Sequence, residues 1–119
     1  MVVLMKKLAL LPLFTLALAQ DPAARKPDRT VSILAERFTF TPSRVTVRQD
    51  ELIEFVLTSE DTDHGFRLST AGVDLAIPPQ ARGEARVRFW ARAKGEFAFE
   101  CSRACGAGHN LMRGTLVVK

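Results

Sequence analysis

Four soft donor side chains, Cys101, Cys105, His109 and Met112, lie close together near the carboxyl end of the chain. Beyond the first twenty residues the sequence holds two cysteines, two histidines and one methionine, and the member of that set outside the cluster is His64. Thiolate, imidazole and thioether are the ligands that suit copper, so the gathering of nearly the whole inventory in one stretch points to a copper site.

The spacing Cys-x3-Cys-x3-His-x2-Met would nearly align on one face of a helix. At 1.5 Å rise per residue, however, Cys101 and His109 would stand roughly 12 Å apart, too far to share one centre. Gly106, Gly108 and Gly114 further disfavour a helix and favour a loop that folds back on itself. The donors are therefore expected on a loop between two strands, held at both ends by a rigid scaffold. His64 precedes Gly65-Phe66-Arg67-Leu68, at the start of a predicted strand, and has to be brought to the same end by the fold.

Several chemistries compete for these residues. Two cysteines in an exported chain commonly form a disulfide, and Cys101 and Cys105 are near enough in sequence to close one, but that leaves His64, His109 and Met112 unused. A structural zinc could take both cysteines and both histidines, although the spacing is not a usual zinc-finger pattern and Met112 would be idle. A mononuclear blue-copper site takes one cysteine, two histidines and a weak axial methionine, which leaves a thiolate over. Two thiolates can instead bridge two copper ions, with one histidine for each metal and weaker axial donors from Met112 and a backbone carbonyl.

The elements that must position these donors read as strands. Val45 and Val47 alternate with Arg44, Thr46 and Arg48, and Ile53, Phe55 and Leu57 alternate with Glu54, Val56 and Thr58. Val87, Phe89 and Ala91 alternate with Arg86, Arg88, Trp90 and Arg92, and Phe97, Phe99 and Cys101 alternate with Glu96, Ala98 and Glu100. A last run spans residues 115–118. Each is expected to be half-buried. Turn chemistry separates them at Thr41-Pro42-Ser43, Gln49-Asp50, Ile77-Pro78-Pro79 and Lys94-Gly95, and no long helical stripe intervenes. Short strands at this spacing predict an all-β sandwich. Trp90 shares its parity with Arg86, Arg88 and Arg92 and is expected on an outward, solvated strand face.

A length of 119 residues with 47% apolar content suits one compact domain. The formal charge of +4 comes from basic residues dispersed among acids, and there is no tyrosine to stack on a base, so nucleic-acid binding is not expected. Residues 1–19 read as a signal peptide: Lys6 and Lys7 open it, an apolar stretch from Leu8 to Leu18 follows, and Ala17-Leu18-Ala19 offers a small-x-small cleavage site. The stretch is short of the ~20 apolar residues that span a bilayer. Residues 20–30 read as a flexible leader and residues 31–119 as the folded domain, placed in the periplasm or on the outer face of the cytoplasmic membrane, with membrane association only through a partner or an uncleaved signal.

The run Cys101-Ser102-Arg103-Ala104-Cys105-Gly106-Ala107-Gly108-His109-Asn110-Leu111-Met112 resembles the CuA signature of cytochrome c oxidase subunit II, and Asp63-His64-Gly65-Phe66 resembles the upstream histidine motif of that family. The likeness extends from about Phe38, through Phe38-Thr39-Phe40-Thr41-Pro42, to the closing Gly114-Thr115-Leu116-Val117-Val118. It implies a cupredoxin-like Greek-key β-sandwich with a centre of two copper ions that passes one electron at a time. By position, Cys101 and Cys105 would bridge, His64 and His109 would each bind one copper, Met112 would be a weak ligand to one and the Arg103 backbone carbonyl to the other. No catalysis is expected from the chain alone. It would serve as a soluble or detached subunit II-like electron carrier, or as an electron-entry component of an oxidase, with a c-type cytochrome or a terminal oxidase subunit as redox partner. The alternative is a periplasmic copper-binding protein for copper delivery or oxidase assembly. Two departures stand out: Arg103 occupies a position that is usually glutamate in subunit II, and neither the transmembrane hairpin nor the aromatic-rich stretch of that family is found ahead of the domain.

Overall fold

Side chains that alternate with a period of two build nine strands among the described residues: β1 (Arg29–Glu36), β2 (Thr39–Thr41), β3 (Arg44–Val47), β4 (Leu52–Ser59), β5 (His64–Leu68), β6 (Val73–Ile77), β7 (Ala85–Trp90), β8 (Gly95–Glu100) and β9 (Arg113–Val118). The computed structural model describes residues 25–119 and the single residue Pro12; the segment read as a signal peptide otherwise lies outside the described residues, as do residues 20–24 of the expected leader. No helix among the described residues is long and apolar enough to cross a membrane.

The strands form two sheets, ordered β2-β1-β4-β7 and β3-β9-β8-β5-β6. β1 runs parallel to β4 and β3 parallel to β9, while the remaining neighbours are antiparallel. This is the all-β sandwich expected from the strand spacing. Its core is joined across the layers by phenylalanines. Phe55 of the first sheet lies 5.2 Å from Phe66 of the second, and Phe40 lies 5.4 Å from Phe99, measured between ring centroids. Such aromatic pairs add about 0.5–1.5 kcal/mol each beyond their burial.

Two features depart from the alternating pattern. β4 is buried on both faces for most of its length, with Glu54 and Val56 hidden as well as Phe55 and Leu57, so it is not the half-buried strand expected. β4 is central in its sheet, and long side chains from β7 lie over its outer face: Arg86 Nη1 and Arg88 Nε donate to the two Glu54 carboxylate oxygens at 2.8 and 2.7 Å. Burial of a carboxylate is tolerated here because both oxygens are paired. β6 is not among the strands expected from the sequence, although Val73, Leu75 and Ile77 do alternate with Asp74 and Ala76.

The folded chain also begins earlier than Val31. β1 starts at Arg29, and Asp28 binds the start of β4 twice, donating its N–H to Leu52 O at 2.9 Å and accepting the Leu52 N–H on Oδ2 at 2.7 Å. Trp90 does face outward, but it is half-buried between the guanidiniums of Arg25 and Arg92, 5.0 and 4.9 Å from the ring centroid.

Candidate metal centre

The register of the second sheet decides where the donors meet. Arg67 of β5 pairs with Glu100 of β8, so the start of β5 and the end of β8 lie at one end of the sandwich. β9 pairs antiparallel with β8 and begins at Arg113, so residues 101–112 form a loop anchored at both ends, as expected. The Cys101 N–H donates to Met112 O at 3.1 Å, which closes the neck of that loop. Within it, His109–Leu111 make a single 3-10 turn.

The structure brings all five predicted side chains together. Cys101 Sγ and Cys105 Sγ stand 3.7 Å apart, well beyond the ~2.05 Å of a disulfide, and both cysteines are free. His64 Nδ1 lies 3.9 Å from Cys101 Sγ, and His109 Nδ1 lies 3.6 Å from Cys105 Sγ. Met112 Sδ is 3.8 Å from Cys105 Sγ, and the Arg103 carbonyl oxygen is 3.1 Å from Cys101 Sγ. Each sulfur is thus flanked by one imidazole nitrogen and one weaker donor.

The donor set fits copper. His64, Cys101 and Cys105 present ligand atoms within 4.8 Å of one another, whereas His109 is outside that tight group and attaches at the Cys105 side. A single tetrahedral zinc using both histidines would need all four atoms gathered around one point, and it would leave Met112 without a role. Thiolate and thioether donors together favour copper.

Backbone shape makes the approach possible. A Cβ on Gly65 would meet Ser102 Oγ, and would lie 2.9 Å from the backbone nitrogen of Arg103, so β5 can run against the ligand loop only because position 65 is glycine. The Gly65 N–H points at Cys101 Sγ at 3.5 Å. Gly106 has φ of 141°, and a Cβ there would lie 2.9 Å from the Phe38 ring, which covers this part of the loop.

Burial is uneven. His64 and Met112 are fully buried and the two cysteines nearly so, while His109 is half-buried and Leu111 beside it is 80% exposed, the exposed large apolar residue among those described. A cleft of about 190 Å³ opens beside His109, lined by Arg67, Glu100, Asn110 and Arg113 along with the ligands. Glu100 is shared there by Arg67 Nη2 at 2.9 Å and Arg113 Nη2 at 3.3 Å. Burial, followed by the neighbouring Cys101 thiol, pushes the Cys105 thiol up to about 11. Cys105 is therefore a neutral thiol near pH 7 before a metal enters, and metal uptake has to release its proton.

Two residues beside the ligands are absent from the set expected from sequence. Asp61 Oδ1 lies 2.7 Å from His64 Nε2, and Asp61 Oδ2 accepts the Arg37 N–H at 2.9 Å. Arg37 Nε donates to Cys105 O at 2.8 Å, tying the β1–β2 turn to the ligand loop. Burial raises the Asp61 pKa, but it is outweighed by the hydrogen bonds from the Arg37 amide, His64 and the Thr62 amide, and the net shift is downward. The Asp-x-x-His spacing at 61–64 is a usable signal for Asp61; nothing in the sequence marks Arg37.

Comparison with known proteins agrees with this arrangement. The sequence matches the family described as a cupredoxin-like domain over residues 8–118. It is 37% identical over 91 residues to cytochrome c oxidase subunit 2 of Thermus thermophilus, covering 76% of this chain and 65% of that protein. A second subunit 2 sequence, from another strain of the same species, matches at the same identity, with 52% of its length covered. The chain therefore spans between about half and two thirds of the curated relatives it matches. The crystal structure of the periplasmic domain of subunit II of cytochrome oxidase from Bradyrhizobium japonicum superposes with a TM-score of 0.72 at 21% identity, covering 80% of this chain and 86% of that one. At that identity the superposition speaks for the fold.

Proposed function

The chain belongs to the cupredoxin-like domain family, and from that premise we propose that it carries single electrons through a pair of copper ions. The observation that carries this reading is the paired donor geometry: two thiol sulfurs 3.7 Å apart, each with its own imidazole nitrogen and its own weaker donor. In this reading Cys101 and Cys105 bridge the ions, His64 and the Arg103 carbonyl serve one, and His109 and Met112 serve the other. The homology to oxidase subunit 2 over 91 residues supports copper as the metal. When bound, the metal pair supplies reversible one-electron exchange. The protein contributes a dry, prearranged ligand shell, so that little has to move when the charge changes.

Burial favours a carrier over a copper-delivery protein. Handing a metal to another protein requires ligand exchange, and here both thiols and His64 are buried, leaving His109 as the accessible side-chain ligand. The same exposure assigns the contact with a redox partner to the His109 edge and the apolar tip of Leu111. A c-type cytochrome or a terminal oxidase subunit is the proposed partner class, and the proposed setting is the periplasm, reached through the signal segment at residues 1–19.

The test is reconstitution of the domain with copper and electron paramagnetic resonance. Two coppers per chain with hyperfine splitting shared between them, lost in Cys101→Ser and in Cys105→Ser, is the expected result. One copper per chain, or uptake of Cu(I) alone, would replace the carrier with the delivery protein.

A further inference from the structure

The two histidines beside the sulfurs are held very differently. His64 is fully buried, its Nδ1 turned to Cys101 and its Nε2 on Asp61 Oδ1 at 2.7 Å. His109 also turns Nδ1 to its sulfur, but it is half-buried and no comparable carboxylate contact to its outer nitrogen is found among the described residues. We propose that Asp61 is a positioning residue that locks His64 in the tautomer carrying its proton on Nε2, leaving the Nδ1 lone pair free for the metal and making the two halves of the centre electronically unequal.

The geometry leaves Asp61 little freedom to do otherwise. Its Oδ2 accepts the Arg37 N–H at 2.9 Å and its Oδ1 also accepts the Thr62 N–H at 2.8 Å. An ionised carboxylate only accepts hydrogen bonds, so the atom facing Oδ1 has to be a protonated nitrogen. Of the two ring nitrogens that is Nε2, and a neutral imidazole then exposes an unprotonated Nδ1 toward Cys101. Ser59 reinforces the arrangement: its hydroxyl donates to Thr62 O at 2.5 Å and accepts the Asp61 N–H at 3.2 Å, which fixes the turn that carries the carboxylate. Arg37 extends the bracket to the other half of the site through its 2.8 Å bond to Cys105 O. One residue of the β1–β2 turn thus holds both the orienter of His64 and the backbone of a bridging cysteine.

A carboxylate on the far nitrogen makes an imidazole a stronger donor, and loss of such a partner commonly lowers metal affinity by about 10–100-fold. A stronger donor on the His64 side stabilises the oxidised centre, so removing the negative charge raises the reduction potential. Asparagine at position 61 would keep an oxygen for the backbone amides while offering an N–H to His64, which favours the opposite tautomer and blocks Nδ1.

The test has one arm without metal and one with it; only the second rests on the copper reading above. In the metal-free domain at neutral pH, nitrogen-15 NMR of His64 is expected to show Nε2 protonated and Nδ1 unprotonated, and Asp61→Asn to shift the population toward the Nδ1-protonated form. With copper bound, Asp61→Asn is expected to lower affinity about 10–100-fold and raise the reduction potential, with Asp61→Glu restoring both in part. Wild-type His64 protonated on Nδ1 overturns the proposal outright and needs no variant. A folded Asp61→Asn protein with unchanged tautomer and potential, altered only in its melting temperature, reduces Asp61 to a structural role. Failure of the wild-type domain to take up two coppers would instead overturn the carrier reading and leave the metal-free arm standing.

Discussion

The two ends of the sandwich solve opposite problems. At the ligand end, five soft donors are packed together with the loop tied down by neutral contacts: Cys101 to Met112 along the backbone, and the Arg37 side chain to a carbonyl. At the other end, charges are paired over the outer face of the first sheet. Glu54 sits between Arg86 and Arg88, Arg29 reaches Glu51, and Trp90 lies between two guanidiniums. The ligand end is a neutral, dry shell built to receive cations, whereas the opposite end is held by charges already matched. The difference separates what stabilises the fold from what prepares the site.

The most severe way to break this division is to remove what the two ends share. Phe66 is fully buried and lies between Phe40, Phe55 and Phe99. Phe66→Ala is expected to lower stability by about 3–5 kcal/mol in urea unfolding, with Trp90 fluorescence at one end and the Gly65 amide signal at the other lost in a single transition. Two separate transitions would mean that the ends fold as independent units. Gly65→Ala is narrower. The added methyl would press on Ser102 and the Arg103 backbone, so about 1–3 kcal/mol of destabilisation is expected, with copper affinity reduced and the Trp90 emission of the folded protein unchanged.

The ends are also expected to differ in their response to pH. Glu54 is held below the ordinary carboxylate range, first by the Arg88 hydrogen bond, against the cost of burial, and then by Arg86; Asp28 is lowered chiefly by the Leu52 amide. A carboxylate with a depressed folded pKa contributes stability above its unfolded value, and that contribution is lost as pH falls through the folded one. Stability should therefore decline as pH falls below the unfolded values of 4.5 for Glu54 and 3.8 for Asp28, and Glu54→Gln should flatten part of that slope in urea titrations run at each pH. Cys105 has the opposite sign. Its raised value favours the neutral thiol in the fold, so the metal-free domain loses stability as pH rises from the ordinary 9.0 through about 11. A Cys105→Ser protein without that alkaline loss would tie it to the ligand end, and an unaltered profile would separate the two.

Much of this division is legible in the residues themselves. Soft-donor clustering locates Cys101, Cys105, His109 and Met112, glycine content argues for a loop, and period-two alternation gives most strands. The failures have a common cause. β4 alternates in sequence but is covered on both faces, because arginines from β7 lie across Glu54, and partners supplied by a neighbouring strand leave no trace in the strand's own period. Arg37 escapes notice for the same reason: its contacts with Asp61 and Cys105 join positions far apart in the chain, and an arginine after a strand has many ordinary readings. Composition makes residues 20–30 a flexible leader, yet Asp28 bonds to Leu52 and Arg25 covers Trp90. Local pattern identifies which residues have chemistry; tertiary pairing decides which of them are held still.

The mildest change sharpens the comparison most, because it separates function from stability at the ligand end itself. Leu111 is 80% exposed on the 3-10 turn that starts with His109, and it buries no surface that the fold requires. Leu111→Ser is expected to leave stability within about 0.5 kcal/mol and to leave the copper resonance unchanged. Electron exchange with a c-type cytochrome, followed by stopped-flow absorbance, should slow if partners meet the His109 edge, since an apolar contact at that edge excludes water and holds the two centres close. An equal change produced by Trp90→Phe, with Leu111→Ser inert, would move electron entry to the opposite end and make the charged face there the docking surface.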